Sequence, residues 1–145
     1  MEGIDLKPNT IYTTTNFEIL QKVVEKTDEI KKSDLLKSSF IKRLGVYLID
    51  KSGMVLVSFG EDKELNGCMV VSRQLDRLGE YLWIDFAWFD PHCPKLRELF
   101  YNEIIGTCKI RGIKRIQARM SRGFEAMQKL FGVYEVGKII EKEVI

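Results

Sequence analysis

Between residues 54 and 89 the chain passes through three strand-type segments with almost nothing between them. The segments 54–59, 65–75 and 81–89 are rich in β-branched and aromatic residues, and only 60–63 and 76–80 read as turns. Links this short join antiparallel neighbours, because a parallel crossover needs about a dozen residues or more. The middle of the chain is therefore expected to be an antiparallel meander, and its apolar faces must be covered by other elements.

The flanking segments supply those covers. After the meander, Leu96, Leu99, Phe100, Ile104 and Cys108 recur at helical spacing through 95–111, and Gly112 stands where such a helix stops. Alternation over 113–120 predicts a strand, 123–131 a short helix closed by Gly132, and 133–144 a final strand region. Before the meander, 11–14 reads as a short strand. Thr15 and Glu18 have capping-box spacing ahead of a helix whose stripe is Phe17, Leu20, Val23 and Val24, fading over 28–32. Ser33 or Asp34 is placed to cap a second helix carrying Leu36, Phe40 and Leu44 and ending at Gly45. The stretch 46–50 suits either a further strand or that helix's tail. The order is strand, helix, helix, three strands, helix, strand, helix, strand. It predicts one α/β (α+β) domain over 1–145, with a mixed, mostly antiparallel sheet flanked by helices.

Composition narrows the function classes. The 145 residues, 45% hydrophobic and 30% charged, are enough to bury a core without staples. No apolar run approaches the roughly 18 residues of a membrane span, and the first residues lack the basic and then apolar pattern of a secretory leader. The three cysteines, Cys68, Cys93 and Cys108, are odd in number and widely spaced, which suits a reducing, cytoplasmic location rather than a disulfide framework. One histidine and no paired cysteines leave no closed zinc site to expect. A net charge of +2 does not by itself call for nucleic acid or an anionic membrane, so no membrane partner is expected. Locally, Lys109, Arg111, Lys114, Arg115, Arg119 and Arg122 crowd into 109–122 without one acid. Such a face meets solvent or an acidic protein partner by default. Nucleic acid is the weaker alternative, since no aromatic for base stacking appears until Phe124.

Several short signals occur in one order. Phe89-Asp90-Pro91 closes the third meander strand, and the helix ending at Gly112 is followed by Ile113-Lys114-Arg115-Ile116. Ser121, Phe124, Met127, Gly132 and Val133 follow at fixed spacing, and Leu65-Asn66-Gly67 lies upstream. Over about 54–140 this pattern resembles the GNAT superfamily of acetyl-CoA-dependent N-acetyltransferases. Size and departures from the family pattern also resemble short GNAT-like proteins of tailed bacteriophages, which implies host cytoplasm or a virion as the setting.

The resemblance implies particular roles. The family holds the acetyl-CoA pyrophosphate at a Gly-rich turn opening its long helix, on bare N–H groups and the helix dipole. Here the matching residues His92-Cys93-Pro94-Lys95-Leu96-Arg97-Glu98-Leu99 contain no glycine, and Pro94 removes a donor. The implied acyl-CoA contacts are Phe89, Pro91, Lys95 and Arg97, the last two as side-chain cations or as solvated first-turn charges. Asp85 matches the family's general base. Its neighbours Trp83, Ile84, Phe86 and Trp88 are expected to raise its pKa, unless it is an exposed residue on the polar face. Strand alternation places Tyr81, Trp83 and Asp85 on one face and Leu82, Ile84 and Phe86 on the other, with the aromatics filling a core. The family's tyrosine acid falls on Gln128, which cannot give up a proton, and Tyr134 lies beyond Gly132. His92-Cys93 reads as a loop histidine beside a partly buried cysteine rather than as a nucleophile pair. Two functions follow: an N-acyltransferase using acetyl-CoA or another acyl-CoA on a small amine, or a catalytically silent GNAT-fold binding or structural protein.

Overall fold

In the computed structural model, which describes residues 6–29, 37–119, 124–137 and 142, the meander forms as expected. Its strands are β2 (Gly53–Phe59), β3 (Leu65–Asp76) and β4 (Gly79–Phe89). A two-residue strand, β1 (Tyr12–Thr13), pairs antiparallel with β2, and β5 (Ile116–Ala118) pairs parallel with β4. The five strands lie in the order β1-β2-β3-β4-β5. The helices are α1 (Phe17–Glu29), α2 (Lys37–Asp50), α3 (Leu96–Arg111) and α4 (Phe124–Phe131).

β2 and β3 read as near-continuous apolar runs because both their faces are covered. On one side Ile19 and Val23 of α1 and Phe40, Leu44 and Tyr47 of α2 pack against Val55, Val57 and Val70. On the other, Leu96, Phe100, Ile104 and Cys108 of α3 pack against Leu56, Met69 and Val71. These α3 residues, at spacings of four, form its buried stripe, and Gly112 ends the helix in the left-handed conformation at φ 72°.

Several expectations are corrected. The cap of α1 is Asn16, whose Oδ1 accepts the Ile19 N–H at 3.2 Å, one residue past Thr15. Gly45 does not end α2. The helix runs on to Asp50, so 46–50 is helical, because stopping at Gly45 would leave Tyr47 off the core it fills. A mid-helix glycine costs only about 1 kcal/mol, less than the burial of an aromatic ring returns. The proposed caps Ser33 and Asp34 lie outside the described residues. β5 spans three residues rather than 113–120, and 133–137 carries no regular secondary structure, the remainder of that expected strand lying largely outside the described residues.

Candidate active site

The middle of β4 is irregular, and the irregularity places Asp85. The β3–β4 register steps from Val70↔Phe86 to Val71↔Ile84, so Asp85 has no partner on β3 and forms a β-bulge. A bulge breaks strict alternation. Leu82 and Ile84 face the α3 side, whereas Phe86 joins the α1/α2 side. Asp85 reaches the same helices, so two consecutive side chains point one way. The expectation that Phe86 lies opposite Asp85 fails for this reason.

Asp85 is tied to α2. Arg43 Nε donates to its Oδ2 at 2.9 Å, and the Tyr47 hydroxyl donates to the same oxygen at 3.2 Å. The Asp85 side chain is 8% exposed and that of Arg43 35%. The carboxylate thus sits against a cation and a phenol, rather than in purely apolar company or on an open polar face. Burial pushes the Tyr47 hydroxyl above its ordinary range; Ser72 opposes the rise, and the adjacent Asp85 charge adds to it. Ser72 is itself buried and accepts a hydrogen bond from Gln74 Nε2 at 2.9 Å. Sequence reading passed over Arg43 and Tyr47. One signal was present, since Phe40, Arg43, Leu44 and Tyr47 recur at i, i+3, i+4 and i+7 and put a cation on an apolar stripe.

The described pairing of the two parallel strands stops just before the bulge. β4 pairs with β5 only through Leu82↔Ile116, Trp83↔Gln117 and Ile84↔Ala118. From Asp85 to Phe89 the β5-side edge of β4 has no strand partner among the described residues. This edge leads into the loop before α3. Phe89 packs its ring 5.2 Å from that of Phe100 and 6.3 Å from that of Tyr101, which in turn lies 5.2 Å from Phe131 of α4. Phe89 is therefore an anchor of the loop, while Pro91, Lys95 and Arg97 are exposed.

The loop's donors are easily tallied. Pro91 and Pro94 have no N–H. The His92 N–H bonds Asp90 Oδ1 at 2.9 Å, the Cys93 N–H bonds the Asp90 carbonyl at 2.9 Å, and the Leu96 N–H bonds the Cys93 carbonyl at 3.1 Å. The N–H groups of Lys95, Arg97 and Glu98 remain without a backbone or side-chain acceptor among the described residues, at the positive end of α3. His92 is exposed, whereas Cys93 packs against the α3-side core. Gln128 and Tyr134 are both exposed. Of the basic segment, Arg115 is committed to Asp76 and to the Gly79 carbonyl, and Arg122 lies outside the described residues.

This architecture can be set beside known proteins. No family model matches the sequence, and no curated protein matches it. Solved structures do. Aminoglycoside 6′-N-acetyltransferase AAC(6′)-Ig from Acinetobacter haemolyticus superposes with a TM-score of 0.73 at 10% identity, over 94% of this chain and 98% of that one. Glucosamine-6-phosphate N-acetyltransferase from Arabidopsis thaliana does so with 0.70 at 13% identity, over 92% and 97%. A predicted acetyltransferase from Clostridium acetobutylicum, whose crystal structure is with acetyl-CoA, gives 0.70 at 11%, over 92% and 96%. The chain has the GNAT acetyltransferase fold. The bulge lies where the described pairing of β4 with β5 ends, and the loop that follows β4 leads to the N-terminus of α3. Identities this low establish the fold and leave the activity to the site itself.

Proposed function

We infer that the protein binds an acyl-CoA along the β5-side edge of β4 and at the N-terminus of α3, and transfers the acyl group to a small amine. The observation that carries this reading is the edge of β4 from Asp85 to Phe89, which has no strand partner among the described residues and leads to the N–H groups of Lys95, Arg97 and Glu98, likewise without an acceptor among them. When bound, an acyl-CoA supplies an activated thioester. The chain's own residues do the rest. The open β4 edge offers backbone groups to a pantetheine amide, as a sheet edge offers them to an added strand. The N–H groups of Lys95, Arg97 and Glu98, with the Lys95 and Arg97 side chains, face the phosphates. Asp85, lodged at the bulge, is placed to take a proton from an ammonium, and Arg43 and Tyr47 hold its carboxylate in position.

A second reading, binding without turnover, has its own support. Asp85 is nearly covered and already bonded twice to α2, and the position expected for a phenolic acid is the exposed amide of Gln128. The glycine-free phosphate loop, with only three free donors, weakens anion capture in both readings.

Titration calorimetry with acetyl-CoA decides the shared step. Binding in roughly the 1–100 µM range is expected, weakened about tenfold or more in a Lys95→Ala/Arg97→Ala variant. No heat at millimolar ligand sinks the acyl-CoA reading. If acetyl-CoA binds, thiol release in the presence of a panel of amines separates the two readings. Asp85→Asn is expected to bind acetyl-CoA as before and to lose transfer.

A further inference from the structure

The opposite end of the sheet has a different character. There α2 runs into β2 through Lys51 and Ser52, β3 turns into β4 at Arg77 and Leu78, and α3 runs into β5 through 112–115. The β3–β4 ribbon continues past the start of β2, since Gly53 pairs with Ser72 while β3 extends to Asp76. Three element ends therefore meet at one pole. Each carries an aliphatic side chain in water: Ile49 on α2, Leu75 and Leu78 at the ribbon tip, and Ile110 on α3, all between 75% and 89% exposed.

Cations surround these tips. Lys51, Arg73, Arg77, Lys109, Arg111 and Lys114 are all exposed, and none has an ion pair among the described residues. Among the described residues of these element ends, the exposed carboxylates without an ion pair are Asp50 and Glu80, since Asp76 is already held by Arg115. The C-termini of α2 and α3 also point here, and a cation or two complements them, but six exceed what two half-charges call for. Lys51, Arg73, Thr107 and Arg111 line one pocket of about 130 Å³, large enough for a phosphate group. Lys51 is held at φ 60°, a left-handed position that glycine fills most easily. A net charge of +2 gives no sign of this local excess of cations.

We propose that this pole docks on an anionic phospholipid surface, its aliphatic tips entering the interface and its cations meeting headgroup phosphates. Separate protruding tips suit a plane better than a groove suits a helix. Base stacking has little to work with, because the Tyr81 ring lies under the Arg115 guanidinium at 5.2 Å and Tyr134, exposed near Arg115, is a single ring. The surface is remote from the α3 N-terminus, so the proposal stands independently of acyl-CoA binding.

Flotation of the full chain with vesicles tests it. Binding is expected to vesicles of phosphatidylcholine with phosphatidylserine at low salt, but not to phosphatidylcholine alone, and high salt should release it. Lys51→Ala and Arg111→Ala should each lower the partition constant about fivefold. Leu75→Ser/Leu78→Ser should lower it further with the melting temperature unchanged. Absence of flotation on the anionic vesicles at low salt overturns the proposal. So does full retention in the double-serine variant, which would leave bare charge adsorption. A gel shift of single-stranded DNA, or retention on polyglutamate, that depends on Lys51 and Arg111 while vesicles stay free would reassign the pole to nucleic acid or to an acidic protein.

Discussion

Arg43 on α2 and Asp85 at the β4 bulge are joined by a 2.9 Å charge-assisted hydrogen bond, across 42 residues of sequence. Helix and sheet are thus pinned at the place where the pairing of β3 with β4 is irregular. Removing the cation strands a nearly covered carboxylate, which in a fully buried pair costs about 3–5 kcal/mol. Arg43 is about a third exposed, and water softens the penalty, so Arg43→Met is expected to destabilise by about 2 kcal/mol in urea unfolding. Arg43→Met/Asp85→Leu should recover part of that loss. A double variant as unstable as the sum of its single variants would show that the pair is not coupled.

Two glycines make a matched test of packing. A Cβ on Gly67 would sit 2.9 Å from Phe100 Cε2, in the layer between β3 and α3, whereas one on Gly106 would meet nothing within 4 Å. Gly67→Ala is expected to destabilise by about 1–3 kcal/mol through overpacking. Gly106→Ala, in a helix interior, should stabilise by up to about 1 kcal/mol. Thermal unfolding of the two variants should move in opposite directions.

The Asp76–Arg115 pair predicts a pH dependence. The Arg115 side chain hydrogen-bonds Asp76 at 2.7 Å and holds its carboxyl at about 2, against an ordinary value of 3.8. The folded-state pKa is depressed, so the contribution is present above the unfolded value and lost as pH falls from about 4 towards 2. The melting-temperature gap between the native chain and Asp76→Asn should shrink across that window and narrow in high salt. A gap constant with pH would count against the pairing.

Thiol reactivity should separate the cysteines. Burial pushes the Cys68 thiol up to about 12 and raises that of Cys108, while Cys93 is partly exposed in the loop before α3. Since the thiolate is the reactive form, native protein treated with an aromatic disulfide reagent near pH 8 should release one fast equivalent, from Cys93. Cys68 should react only on unfolding. A fast phase that survives Cys93→Ser would contradict the burial of the other two.

The local sequence by itself determined the meander, α3 with its Gly112 stop, the short α4 and the order of elements as far as α4, because strand and helix periodicities are properties of neighbouring residues. It also placed the loop 90–97 and the donors that its prolines remove. What it did not determine is how distant segments meet. Gly45 looked like a helix end until Tyr47 was seen filling the core beyond it. The strict alternation assumed for β4 failed because a bulge depends on the pairing strand, which no local pattern in 81–89 records. The Asp85 environment looked apolar from its neighbours in sequence, yet its partners come from α2. The gathering of Ile49, Leu78, Ile110 and their surrounding cations at one pole is likewise a product of topology. Periodicity fixes which side of an element is apolar; only packing decides what each side meets, since the free energy of a contact depends on groups brought together by the whole chain.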